Sequence, residues 1–249
     1  MKLQDTVAVV TGGNGGLGQR ICHALAAAGA HVAVVYARSA SQADQVCSEL
    51  RVHGVQAEAF ACDLTEPAQI QTLMKQVIDR FGRLDILVND AAYNIAIPFP
   101  DLDALTLQEW DRIMAVNLTG PMLCIKAVAP IMKAQGVGRI VNISSIAGLA
   151  PQGSSIAYAV SKAGLIHLTR CMSVALAPQV LVNCVAPGLL EGTRATANLL
   201  ASQIEQASSG SLLKIPADKD DVADQVLTMC RTDTMTGQTI VIDSGRFFH

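Results

Sequence analysis

Residues 6–18 read Thr6-Val7-Ala8-Val9-Val10-Thr11-Gly12-Gly13-Asn14-Gly15-Gly16-Leu17-Gly18, and the order of their properties decides the fold. Thr6 to Val10 is a continuous apolar, β-branched run, the pattern of a strand buried on both faces of a parallel sheet. Glycines follow at once. Leu17 to Ala28 is then rich in Ala and Leu, and Gly29 stops it, which predicts a helix closed by a glycine cap. Strand, glycine turn and helix in this order present backbone N–H groups and the positive end of a helix dipole to an anion. A lone glycine cluster is more often an ordinary turn; this context favours a phosphate.

Outward from this unit, strand and helix alternate without linker or repeat. Strands are predicted at 6–11, 31–36, 56–61, 84–89, 138–144, 179–185 and 238–243. Helices are predicted near 17–28, 41–53, 66–81, 106–135, 156–177 and 219–231. The pattern implies an α/β, Rossmann-like, doubly wound parallel sheet of seven strands in a single domain over 1–249. Ligands then bind beyond the carboxyl ends of the strands. Two irregular stretches, near 90–105 and 187–217, leave strand ends on that side and are expected to form substrate loops.

A second motif lies far along the chain. Tyr158-Ala159-Val160-Ser161-Lys162 places Tyr158 and Lys162 four apart, on one face of a helix. An ammonium there favours the phenolate and should lower the tyrosine pKa from its usual value of about 10. Ser145, thirteen residues before Tyr158, ends the run Arg139-Ile140-Val141-Asn142-Ile143-Ser144-Ser145. Its hydroxyl is expected to face the cleft and hold a substrate oxygen; Ser144 is the neighbouring alternative. Hydride transfer to a carbonyl leaves an alkoxide that needs a proton, so Tyr158 is expected to act as acid in reduction and base in oxidation. A lone Tyr-x-x-x-Lys would read as a surface helix face. With the glycine turn, it reads as a nicotinamide-dependent oxidoreductase.

The glycine spacing, Thr-Gly-x-x-x-Gly-x-Gly, resembles that of the short-chain dehydrogenase/reductase family, together with Asp63, Asn89, Asn117, Ser145, Tyr158, Lys162 and Pro187-Gly188. The resemblance covers nearly the whole chain. It implies that Gly12, Asn14, Gly16, Leu17 and Gly18 bind the cofactor, the glycines permitting close approach to a pyrophosphate. It also implies Asp63 and Leu64 against the adenine, and Asn89 behind the adenosine ribose. Lys162 then binds the nicotinamide ribose, Asn117 ties a water chain to that lysine, and Pro187-Gly188 turns beneath the nicotinamide. Thr193 is assigned to the carboxamide, although Gly192 looks like an insertion ahead of it. A simpler role for Asp63 is to cap the helix that begins near Glu66.

Cofactor choice rests on the end of the second strand, Val34-Val35-Tyr36-Ala37-Arg38-Ser39. An NAD site wants a carboxylate there for the ribose 2′-hydroxyl. None is present, and Arg38 with Ser39 favours NADP(H) over NAD(H) through a charge-assisted grip on the 2′-phosphate. The simpler alternative leaves Arg38 solvated and makes Ser39 or Ser41 the cap of the next helix.

Two departures from the family pattern stand out. Asn89-Asp90-Ala91-Ala92 replaces Asn-Asn-Ala-Gly, and Asp243-Ser244-Gly245 replaces Asp-Gly-Gly. They leave the catalytic groups in place but weaken transfer of a housekeeping substrate such as an acyl-carrier-bound 3-oxoacyl chain. Such a substrate would also want basic residues near the cleft, where the loops offer mainly Arg194 and Lys214.

Composition sets the remaining bounds. A net charge of −3 gives no reason to invoke nucleic acid. Hydrophobic content of 51% against 16% charged residues implies a large core or an extensive subunit interface. No uncharged run looks long enough to cross a bilayer, and no signal peptide precedes the first strand, so no membrane partner is expected. Seven scattered cysteines without a C-x-x-C pair suggest reduced thiols in a cytoplasmic protein, and no metal site. The helices at 106–135 and 156–177 are apolar on several faces, and the resemblance implies pairing through them, so a homotetramer is expected, with a homodimer as the fallback. The expected activity interconverts a ketone and a secondary alcohol on a small or medium apolar substrate. The alternatives are a 3-oxoacyl thioester reductase and a non-catalytic cofactor-binding regulator. The intact Ser145, Tyr158 and Lys162 argue against the regulator.

Overall fold

The computed structural model describes residues 1–193, 196, 204–205 and 208–248. Seven strands form one sheet in the order β3-β2-β1-β4-β5-β6-β7, and every neighbouring pair is parallel. They are β1 (Val7–Thr11), β2 (His31–Tyr36), β3 (Ala57–Ala61), β4 (Ile86–Asn89), β5 (Gly138–Ile143), β6 (Val180–Pro187) and β7 (Thr239–Ile242). Most residues of β1, β4, β5 and β6 are inaccessible, which is why those strands read as unbroken apolar runs.

Alternate strand residues feed two separate cores. Val10, Val34, Val88 and Val185 pack against α1 (Gly18–Ala27), α2 (Ala40–Leu50) and the last helix, Lys219–Arg231. Val9, Val35, Leu87, Ile140 and Val182 pack against α3 (Pro67–Phe81), α5 (Gly120–Gln135) and the end of α6 (Ile156–Leu176). The helix at Lys219–Arg231 is α7. Strand order reverses between β1 and β4, so the crevice beyond their carboxyl ends is the expected ligand site.

The predicted helix 106–135 is interrupted. It consists of α4 (Leu107–Met114), a π-helical turn at Ala115–Thr119, and α5. Pro121 supplies the cause: it has no N–H to return to the carbonyl four residues earlier, at Asn117. The stretch Leu107–Gln135 is long and apolar enough to cross a membrane by length and composition, although Glu109, Asp111, Arg112, Lys126 and Lys133 leave no long uncharged run within it. Ile125, Val128 and Met132 instead face the sheet, which makes it a core helix of the fold.

The loop at 90–105 is tied down rather than free. The Ile97 N–H donates to the Ser154 carbonyl at 2.7 Å, and the Ser154 hydroxyl donates to Asn94. The loop after β6 is described in part, and Arg194, Leu199 and Leu200 lie outside the described residues. Its far end, Leu212 and Leu213, bonds to the backbone of Gly245 and Ser244.

Candidate active site

The glycine turn begins where β1 ends. Gly12 has a φ of +68°, the left-handed region that disfavours a side chain. Gly18, first residue of α1, is confined by approach: a Cβ there would lie 2.2 Å from the Gly12 carbonyl oxygen. Leu17 packs into the core beneath the turn. Asn14 reaches sideways, and its amide donates to the carbonyls of Arg38 and Ser39 at 2.9 and 3.3 Å. This locks the end of β2 to the turn, so Arg38 stands exposed at the same end of the sheet. Ser39 adopts a φ of 63° and makes no side-chain cap on α2, so the simpler capping role is not seen.

Asp63 makes a tight turn. Its carboxylate accepts from the N–H and hydroxyl of Thr65 at 2.9 and 2.7 Å, and these bonds hold its pKa below the ordinary carboxylate value. The N-cap of α3 is Glu66, so Asp63 shapes the approach to the helix without capping it. Burial opposes the lowering, and the charges of Arg112 and Arg38 assist it, which puts Asp63 near both cations. Leu64 is buried against Gly120 of α5.

Asn89 belongs to a row that the strand register assembles. Thr11, Asn89, Asn142, Cys184 and Thr239 are successive cross-strand partners from β1 to β7. Paired residues in a sheet share a face, so the row crosses the sheet on the face where Asn142 meets Thr169 of α6. Asn89 donates to Asn142 at 2.8 Å, and Asn142 donates to the Thr169 hydroxyl of α6 at 2.9 Å. The Asn89 side-chain oxygen is buried without a partner in the described structure.

The chemical centre is built where β5, the π-helical turn and α6 meet. Ser155 caps α6 by accepting from the Tyr158 N–H at 3.1 Å, which puts Tyr158 on the first turn. Ser145 leaves β5 in extended backbone and reaches the phenol of Tyr158. Ser144 turns away and donates to the Lys162 carbonyl at 2.8 Å, so Ser145 is the serine at the tyrosine. Asn117 is fully buried. Its oxygen accepts from the Tyr93 N–H at 2.8 Å, and its amide donates to the Tyr93 carbonyl at 3.0 Å and the Ser161 hydroxyl at 3.1 Å. Ser161 in turn donates to the Tyr158 carbonyl at 2.8 Å. The π-helical turn, the 90–105 loop and α6 are thus joined through one side chain.

Tyr93, Ser155 and Ser161 were not singled out from the sequence. Ser155 carries a readable signal, a serine ahead of an apolar helical run. Tyr93 is further fixed by its hydroxyl on Glu109 at 3.1 Å and by the Arg112 guanidinium, 4.1 Å from its ring centroid.

The electrostatics correct one expectation. Lys162 does not hold the Tyr158 phenol low. Its ammonium lies 5.7 Å from the ring centroid and donates to the Ile143 carbonyl at 2.8 Å. Burial raises the phenol above the ordinary tyrosine value, the Ser145 hydrogen bond pulls it down, and the charge of Asp90 raises it further. Burial brings Lys162 itself down to about 8, against support from Asp90 and then Cys184.

The loop beyond β6 closes the far side. Gly188 donates its N–H to the Ile242 carbonyl at 2.8 Å, following the turn at Pro187. Thr193 sits over the glycine turn: a Cβ on Gly16 would lie 2.3 Å from the Gly192 carbonyl and 3.1 Å from the Thr193 Cα. Its hydroxyl donates to the Leu190 carbonyl at 3.2 Å, back into its own loop. Among the described residues, no three His, Cys, Asp or Glu side chains converge as metal ligands.

Comparison with known proteins fits this geometry. The short chain dehydrogenase family model matches residues 6–204. A 3-oxoacyl-[acyl-carrier-protein] reductase of Synechocystis is 36% identical over 98% of this chain and 97% of its own. The human dehydrogenase/reductase SDR family member 4 is 32% identical over 98% of this chain and 88% of its own. A crystal structure of NAD+-bound xylitol dehydrogenase superposes with a TM-score of 0.89 at 25% identity, over 98% of this chain and all of that one.

Proposed function

The chain belongs to the short-chain dehydrogenase/reductase family and is an oxidoreductase acting between CH–OH and C=O with a nicotinamide cofactor, and from that premise we propose an NADP(H)-dependent reductase of small or medium apolar ketones. The observation that carries the reading is the joining of Ser145, Tyr158 and Lys162 at the carboxyl end of β5. The residues present fit a dinucleotide: the glycine turn offers N–H groups at the start of α1, and Gly18 has no room for a side chain.

When bound, the reduced nicotinamide supplies the hydride. Ser145 holds the carbonyl oxygen toward Tyr158. Tyr158 gives its proton to the oxygen as the alkoxide forms. A phenol raised by burial keeps that proton at neutral pH, which suits an acid in reduction. In the opposite direction the phenol must first ionise, so oxidation calls for higher pH. Lys162, held by the Ile143 carbonyl, keeps positive charge beside the developing anion.

Preference for NADP(H) is supported by Arg38, which is exposed beside the turn with no carboxylate at the end of β2. Loss of one charge-assisted contact costs about 1.5–3 kcal/mol, or roughly 10- to 150-fold. Arg38→Ala is therefore expected to weaken NADPH binding by that factor and leave NADH nearly unchanged. A wild-type preference for NADH, or a ratio that does not move, contradicts the assignment.

A second reading, reduction of a 3-oxoacyl thioester, is favoured by the name of the Synechocystis relative. A cofactor-oxidation screen across ketones, hydroxysteroids, sugars and acyl thioesters separates the two. Assembly as a homotetramer, with a dimer as the fallback, is supported by the half-buried Met122, Leu123, Ile131, Leu168 and Met172 and by Val174, 83% exposed on α6. Light scattering at micromolar concentration that returns a monomer mass overturns it.

A further inference from the structure

Asp90 is a charged residue in the cleft to which the proposed chemistry gives no task. It follows β4 directly, at the reversal of strand order between β1 and β4. Its own N–H and that of Ala91 both donate to the Thr11 hydroxyl, at 3.1 and 3.2 Å. These bonds fix the segment against the glycine turn. A Cβ on Gly18 would lie 2.9 Å from the Asp90 Oδ2, so the carboxylate rests on the first turn of α1. That is the end of the helix where an anion is favoured. Asp90 and a docked pyrophosphate would compete for it.

The groups facing Asp90 come from two helices. Lys162 of α6 draws it toward the anion. Its own charge opposes ionisation of Tyr158 on α6 and of Cys22 on α1. Burial outweighs Lys162 and brings the carboxyl up to about 7. The residue is therefore divided between its two forms near neutral pH.

We propose that Asp90 takes up a proton from solvent when a dinucleotide pyrophosphate docks on the glycine turn, so that cofactor affinity falls as pH rises through neutrality. The proposal rests on the cofactor reading above. A second negative charge at the start of α1 repels the carboxylate in a partly dehydrated cleft and raises its pKa. The step is a protonation alone: carboxylate and solvent proton give carboxylic acid, with no bond made to the cofactor. Lys162, brought down to about 8, is largely charged at pH 7 in the free protein.

The test follows the carboxyl carbon of Asp90 by NMR in the full chain, isotope-labelled at aspartate. The resonance is assigned by its loss in Asp90→Asn, or in Asp90→Ser should the first variant not fold. Titrations are run alone and with saturating NADPH, NADH or ADP-ribose, the last carrying the pyrophosphate without the nicotinamide. The free midpoint is expected near 7 and should rise by about one pH unit or more with all three ligands. In parallel, wild-type affinity for NADPH should weaken as pH rises from the free to the bound midpoint, by about tenfold in total for each pH unit that separates the two, and most of that dependence should vanish in Asp90→Asn. A midpoint in the ordinary carboxylate range, or one that stays or falls on binding, overturns the proposal. Failure of all three ligands to bind at any pH overturns the cofactor reading with it; binding with an unmoved resonance overturns this inference alone.

Discussion

Tyr158→Phe is expected to lower turnover by about 10²–10⁴-fold, the usual contribution of a positioned acid–base group, while cofactor affinity stays within a few-fold. The substitution removes one oxygen. The ring remains on the first turn of α6, because the Ser155 cap and the Ser161 hydroxyl both bond to the Tyr158 backbone. Lys162 keeps its bond to the Ile143 carbonyl. What disappears is the proton for the alkoxide and the partner of Ser145. Turnover near wild type on the same substrate would remove Tyr158 from the mechanism.

Gly18→Ala is expected to abolish tight cofactor binding, with a loss on the order of a hundredfold. The added methyl would sit 2.2 Å from the Gly12 carbonyl oxygen and 2.9 Å from the Asp90 carboxylate. The first neighbour is backbone and cannot rotate away, so the turn must open. Overpacking of this kind costs about 1–3 kcal/mol, and the strain falls on the N–H groups that face the pyrophosphate. Calorimetric titration with NADPH reads the loss directly. Unchanged affinity would show that the turn does not hold the dinucleotide.

The strands were legible to within about two residues: β1, β2 and β4 are apolar runs buried along most or all of their length, whereas β3, which carries Glu58, and the half-buried β7 were placed by the alternation of strand and helix. The catalytic constellation was legible because its members sit at strand ends or one helical turn apart. Three features were not. Helical periodicity continues straight through 115–119, and the break follows from Pro121, whose missing N–H outweighs a good apolar pattern. The row Thr11, Asn89, Asn142, Cys184 and Thr239 depends on strand register, which no single segment encodes. The raised phenol of Tyr158 and the coupling of Asp90 to Lys162 arise from burial in the assembled cleft. The rule that a lysine lowers a neighbouring tyrosine omits that desolvation.

The central claim is that this chain passes a hydride from a reduced nicotinamide to a ketone, with Tyr158 supplying the proton. The most direct measurement uses NADPH deuterated at the transferring carbon, incubated with aliphatic and aromatic ketones and a 3-oxoacyl thioester, in wild type and Tyr158→Phe. The account predicts deuterium on the carbinol carbon of at least one product, formed by wild type and reduced by about 10²–10⁴-fold in the variant. No deuterated alcohol from wild type with any carbonyl tested, or equal labelling by the two chains, would contradict it.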